Sequence, residues 1–203
     1  AMTINKNGKL SPRFGFLQVR PMVVSNDEVV IGETEFSNAL FSSNYVLGNG
    51  KVDYIEDVVF VKPESFDISK SEIIAEEIES INKLLKEENK KYLLIGFGRW
   101  GSTDKWLGIP VEWGQISNAK VIVEAMLPQF DVELSQGSHF FHNINSFQVL
   151  YFSIKSDKVG SIDWHRLSDS KTITDLEYTK HVRFEKPLKI KVDGRIAKGV
   201  IVK

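Results

Sequence analysis

The amino-acid sequence predicts a strand-rich α+β domain, with a mainly antiparallel or mixed sheet and one long amphipathic helix at about residues 70–88. Three observations carry that expectation. Ile74, Ile78, Ile81 and Leu85 recur at helical spacing among Glu, Lys, Ser and Asn, which describes a surface helix with one buried stripe. Short runs rich in β-branched and aromatic residues stand on both sides of it. Their order neither alternates strand with helix nor omits helix, so neither a doubly wound sheet nor an all-β sandwich fits.

Taken in order, residues 1–26 read as a terminal hairpin. Asn5-Lys6-Asn7-Gly8 is a turn signal, and Gly15-Phe16-Leu17-Gln18-Val19-Arg20 alternates as a strand until Pro21 stops it. Phe16, Gln18 and Arg20 share one face of that strand, which periodicity alone describes as a solvated edge. Residues 27–203 form the second unit. Asp27-Glu28 and Ile31-Gly32-Glu33 are turn-like, and Val46 to Val52 contains a glycine-flanked turn. Ile55–Val61 is a buried strand ended by Lys62-Pro63. Ser69 and Glu72 have the spacing of a capping box for the long helix, whose Glu-rich face reads as solvated surface. Tyr92–Ile95 follows as a buried strand. Ala119–Leu127 starts as a strand, with Ser117 as the alternative cap of a helix, and Pro128 ends it. Asp131–Leu134 reads as a short strand, Phe147–Ile154 as a central strand and Ser161–Leu167 as a short helical turn. Asp163-Trp164-His165-Arg166 reads as surface packing. Tyr178–Phe184, Leu188–Val192 and Ala197–Val202 are strands, with a turn at Asp193-Gly194 between the last two.

Composition narrows the function classes. A chain of 203 residues with 42% hydrophobic and 26% charged residues can bury a full core, as an ordinary soluble domain does. The net charge of −1 provides no electrostatic attraction to nucleic acid or to an anionic membrane. The absence of cysteine removes disulfides, thiolate catalysis and cysteine metal sites. No apolar run is long enough to span a bilayer and no signal-peptide pattern opens the chain, so a cytoplasmic location is expected.

The stretch that concentrates chemistry is Gly96-Phe97-Gly98-Arg99-Trp100-Gly101-Ser102-Thr103-Asp104, directly after the strand at 92–95 and close to Trp106 and Trp113. Its letters fit a dinucleotide fingerprint, and Glu124 lies near the spacing of a ribose-binding carboxylate. That motif needs a helix starting at the glycines, and Gly108, Pro110 and Gly114 do not permit one. Two readings remain. The loop is a structural turn with Arg99 paired to Asp104, or it is a backbone nest for an anion. In the second case Gly98, Arg99, Gly101, Ser102 and Asp104 form the site together with His139. His139 and His142 lack further anchored ligands, so no metal site is expected. Neither a nucleophile elbow nor a Ser-His-Asp order is present.

Two segments resemble one family. Gly8-Lys9-Leu10 with Phe16-Leu17-Gln18-Val19-Arg20-Pro21 is similar to the closing strand of the ATP-grasp domain of phosphoenolpyruvate synthases and pyruvate, phosphate dikinases. Gly96 to Val111, Ser135 to Phe141 and the strand-rich tail from Tyr178 to Lys203 resemble the C-terminal region of large phosphoenolpyruvate synthase-like proteins. The resemblance implies that Gln18 and Arg20 face ATP phosphates, where an arginine can grip two oxygens at once. It also implies a parent reaction, the ATP- and Mg²⁺-dependent phosphorylation of pyruvate to phosphoenolpyruvate. The family's catalytic carboxylate, its glycine-rich nucleotide loop, its phosphocarrier segment and its pyruvate-binding barrel have no counterpart here. The chain is therefore expected to be an inactive C-terminal fragment that holds no cofactor tightly. Its expected partners are the missing ATP-grasp domain of the same polypeptide and a second copy of the chain. The other reading is a non-catalytic interaction module in which Trp100, Trp106 and Trp113 serve packing or docking.

Overall fold

A long helix laid on a mixed sheet frames the domain. The computed structural model describes residues 2–3, 13–14, 28–155, 162 and 164–203. Of the expected terminal hairpin, β1 (Met2–Thr3) pairs antiparallel with β2 (Arg13–Phe14). The strand expected at 15–20, with Gln18 and Arg20, lies outside the described residues. The order continues as α1 (Glu33–Ser37), β3 (Phe41–Ser43), β4 (Val46–Leu47), β5 (Gly50–Val61), α2 (Ser71–Glu87), β6 (Tyr92–Phe97), β7 (Arg99–Trp100) and β8 (Gly108–Ile109). It ends with β9 (Ala119–Ala125), α3 (Phe141–Ser146), β10 (Leu150–Ile154), α4 (Trp164–Ser168), β11 (Lys171–Asp175), β12 (Thr179–Asp193) and β13 (Lys198–Val202).

Among the described residues the main sheet has nine strands, with β3-β13-β12-β5-β6-β9-β10-β4 as its path and β11 added beside β12. The fold is thus mixed and strand-rich with one long helix, as expected. Strands β5, β6, β9 and β10 run parallel to one another, while β12, β13 and β3 are antiparallel. The two ends of this path, β3 and β4, are separated in sequence only by Asn44 and Tyr45. Phe41 to Ser43 pair with β13, Val46 and Leu47 pair with β10, and Ser153 N donates to Tyr45 O at 2.8 Å. One short segment therefore joins both edges, and the sheet closes on itself without presenting a bare edge there.

Packing explains why the parallel strands read as unbroken apolar runs. All six residues of β6 are buried because both of its faces are covered. Tyr92 lies under α2 and donates to Asn82 Oδ1 at 3.0 Å. On the opposite face Phe97 packs edge-on to Phe66 and tilts against Trp164 of α4. The latter was expected to be surface packing; it lies against the aromatic core instead. The stripe on α2 is the expected one, since Ile74, Ile78, Ile81 and Leu85 are all buried.

Several boundaries differ from expectation, each for a local reason. Ser69 does not cap α2. Asp67 accepts from Ser69 N at 2.9 Å and starts a 3₁₀ turn, Ile68–Lys70, that runs into the helix at Ser71. The Ser69 amide that Glu72 would accept in a capping box is thus taken by a carboxylate two residues earlier. The Glu-rich face of α2 is not wholly solvated, because Glu77 accepts from the amides of Glu177, Tyr178 and Thr179 and from Thr179 Oγ1. It thereby holds the start of β12. Residues Asp131–Leu134 form no strand. Phe147 and Gln148 belong to the end of α3 rather than to β10, with Gln148 at φ 51. Two expected strands merge into the single β12, whose pairing with β5 shifts register between Arg183 and Leu188. Pro187 lies in that interval and has no N–H for the ladder.

Between β5 and β12, Asp57 Oδ1 lies 2.7 Å from both His181 Nε2 and Arg183 Nε, and Asp57 is 2% exposed. Burial alone would raise its pKa; the two hydrogen bonds and the Arg183 charge outweigh burial and hold it below the usual carboxylate range. A depressed folded-state pKa contributes stability above the unfolded value of about 3.9, which is lost as pH falls through the folded value. Asp57→Asn should therefore lower the urea midpoint at pH 7 and flatten its decline between about pH 5 and 3. Parallel pH curves for the two proteins would exclude this role.

Candidate functional site

The glycine loop leaves the C-terminal end of β6, beside the ends of β9 and β10, where open parallel sheets commonly place ligands. What it does there follows from its hydrogen bonds. Gly98 N donates to Ala125 O at 2.9 Å, Arg99 N to Leu107 O at 2.8 Å and Gly101 N to Ile109 O at 2.9 Å. The loop folds back as the short parallel pair β7–β8. Asp104 N donates to Ser102 Oγ at 3.2 Å, and Trp106 N donates to Asp104 Oδ1 at 3.0 Å. The Arg99 guanidinium does not pair with Asp104; its Nε donates to Glu133 O at 2.7 Å. Three amides that a backbone nest would aim at an anion are thus engaged by carbonyls.

Trp100 anchors the loop. It is 1% exposed, its Nε1 donates to Val123 O at 2.9 Å, and its ring lies where a side chain on Gly96 would project. Gly96 is needed for that approach. Trp113 stacks on Phe147 and meets Phe140 edge-on, whereas Trp106 is exposed.

The second quoted segment, Ser135 to Phe141, packs against the first. The Phe140 ring occupies the space beside Gly101, and Arg99 holds the backbone just before Ser135. His139 lies on the exposed 3₁₀ turn Ser138–Phe140; no hydrogen bond joins it to Arg99 or Ser102 among the described residues. Gly98, Arg99, Gly101, Ser102 and Asp104 are therefore together, while His139 borders them through Phe140. No group of three His, Asp or Glu side chains converges as a metal site among the described residues.

The residue that holds the start of the second segment is Glu124, fully buried on β9. Its Oε1 accepts from Ser135 N at 2.9 Å and Ser135 Oγ at 2.6 Å; its Oε2 accepts from Gln136 N at 2.8 Å and Ser153 Oγ at 3.3 Å. Burial raises its pKa above the usual carboxylate range, with the four hydrogen bonds pulling the other way. Tyr151 lies nearby with its hydroxyl buried and without a hydrogen-bond partner among the described residues. Its pKa is raised well above the ordinary value, by burial first and by the Glu124 charge second.

Comparison with protein-family models, with curated proteins and with solved structures finds no match. The geometry carries the functional argument. Sequence reasoning weighed Glu124 only as a ribose ligand. The signal that could have found its role is a lone carboxylate inside the apolar run Ala119–Leu127, which must be satisfied once buried.

Proposed function

We propose that residues 27–203 act as a companion domain of a phosphoenolpyruvate synthase-like dikinase, and that the tryptophan–glycine motif builds this domain rather than contacting phosphate. The parent reaction is the ATP-dependent phosphorylation of pyruvate to phosphoenolpyruvate, with Gln18 and Arg20 meeting the ATP phosphates, as the resemblance implies. One observation carries the structural role of the motif. The amides of Gly98, Arg99 and Gly101, the Arg99 Nε–H and the Asp104 Oδ1 are all engaged within the domain. A phosphate cradle keeps such donors directed outward, where they neutralise charge in phosphoryl transfer.

The test is tryptophan fluorescence of the chain and of Arg99→Ala during titration with ATP–Mg²⁺. Arg99→Ala should lose about 1 kcal/mol of stability, because a half-exposed charged donor regains water when its carbonyl partner is lost. Any response to ATP–Mg²⁺ should be identical in the two proteins. Saturable ATP–Mg²⁺ binding that disappears in Arg99→Ala at unchanged melting temperature would make the loop a phosphate site and overturn the proposal.

A further inference from the structure

A cleft of about 670 Å³ opens at the N-terminal ends of the parallel strands, away from the glycine loop. That volume is within the range of small-molecule sites, roughly 300–1,000 Å³. Its apolar wall includes Val46, Leu47, Val52, Ile144 and Leu150. Its charged lining residues are Lys51, Lys120 and Arg195, and no carboxylate lines it among the described residues.

The three cations are not equivalent. Arg195 is closed by Asp193, with Nε to Oδ1 and Nη2 to Oδ2 both at 2.9 Å, so it brings little net charge. Lys120 Nζ donates to the carbonyls of Phe147 at 3.2 Å and Gln148 at 2.7 Å, at the end of α3. Carbonyl dipoles satisfy its protons without cancelling its charge. Burial first and the Lys91 charge second hold its pKa below the ordinary lysine value, and an arriving anion would offset the Lys91 repulsion. Lys51 is exposed and has no ion pair among the described residues. Two lysines therefore line the same recess, and no carboxylate is among its described lining residues.

The wall is also preformed. Gly48 has φ +93, and a side chain on it would press Leu150 at 3.0 Å and the Val149 carbonyl at 3.1 Å. Gly194 approaches from the β12–β13 turn so closely that its Cβ would lie 2.5 Å from Gly48 O, and its N–H donates to Asn49 Oδ1 at 3.1 Å. The two turns thus meet in close contact and through a backbone-to-side-chain hydrogen bond, which lowers the ordering cost of binding.

We propose that this cleft binds a small phosphomonoester, its phosphate held between Lys51 and Lys120 and its organic group laid on the apolar wall. A phosphomonoester concentrates a charge of about −1.5 to −2 and three acceptor oxygens in one group, which the Lys51 ammonium and the one N–H that Lys120 does not give to its two carbonyls can share. The site is independent of the glycine loop and of the role assigned to it above.

Calorimetric titration with phenyl phosphate, inorganic phosphate, phthalate and benzyl alcohol tests the assignment. Phenyl phosphate should saturate with a dissociation constant of about 0.1–1 mM, inorganic phosphate should bind at least roughly tenfold more weakly, and benzyl alcohol should not bind. Lys51→Met, which removes no side-chain hydrogen bond or ion pair seen among the described residues, should weaken phenyl phosphate about tenfold at unchanged melting temperature. Lys120→Met should do the same with a lower melting temperature, and Arg99→Ala should have no effect. Absence of saturation up to about 10 mM, or an affinity indifferent to Lys51→Met, would overturn the proposal. Equal binding of inorganic phosphate would reduce the cleft to a site for an adventitious ion only. Tighter binding of phthalate would replace the phosphomonoester with a dicarboxylate.

Discussion

Glu124→Ala should remove roughly 3–5 kcal/mol of folding stability. The substitution deletes the acceptor for two backbone amides and two hydroxyls, all within or beside the segment that carries Phe140 onto Gly101. Each orphaned buried donor costs about 1–3 kcal/mol, and water entering the vacated space recovers only part of it. Glu124→Gln keeps the volume but turns an amide NH₂ toward groups that are themselves donors, so a smaller loss of about 1–3 kcal/mol is expected. The pH dependence has a definite sign. A carboxyl whose folded pKa is raised adds stability that is complete below the unfolded value of about 4.3 and is lost as pH rises through the folded value. The gap between the parent and Glu124→Gln should therefore be wider at pH 4 than at pH 7, opposite to the behaviour expected for Asp57. Urea denaturation at both pH values measures it. A gap that widens toward neutral pH would mean that the hydrogen bonds, not burial, govern this group.

Trp100→Ala should cost roughly 3–5 kcal/mol, the usual range for deleting a large buried aromatic. The indole is fully enclosed, its Nε1–H satisfies Val123 O across to β9, and it covers Gly96 on β6. Its loss leaves a cavity between the loop and two central strands. Trp100→Phe keeps part of the ring contact but not the hydrogen bond, and about half the loss is expected. Near-ultraviolet circular dichroism should report the released packing before far-ultraviolet signal is lost. A change below about 1 kcal/mol for the alanine variant would show that the loop does not depend on its tryptophan.

Much of the framework was legible because its signals are local. The 3.6-residue spacing of Ile74, Ile78, Ile81 and Leu85 states which face of α2 is buried without reference to anything it packs on. The β-branched runs mark β5, β6, β9 and β13 for the same reason. Boundaries failed where local signals competed. Ser69 and Glu72 have the spacing of a capping box, yet Asp67 takes the amide first. Phe147, Val149 and Tyr151 alternate like a strand, yet Phe147 N is held by Asn143 O at the end of α3. The candidate site was legible as a location and not as an arrangement. The crowding of Gly96 to Asp104 marks a special turn, but which acceptors its amides meet depends on Ala125, Leu107 and Ile109.

By itself the sequence determined the class of fold, the long helix with its buried stripe, the buried strands, and the two segments that matter most. Tertiary structure alone decided that Glu124 holds the start of the second segment, that the sheet closes through residues 41–47, and that Lys51 and Lys120 line one recess. The division has a simple cause. Periodicity is set by backbone geometry within a few residues, whereas a hydrogen bond from Ser135 to Glu124, or a shared cleft between β5 and β9, exists only once distant strands are laid side by side.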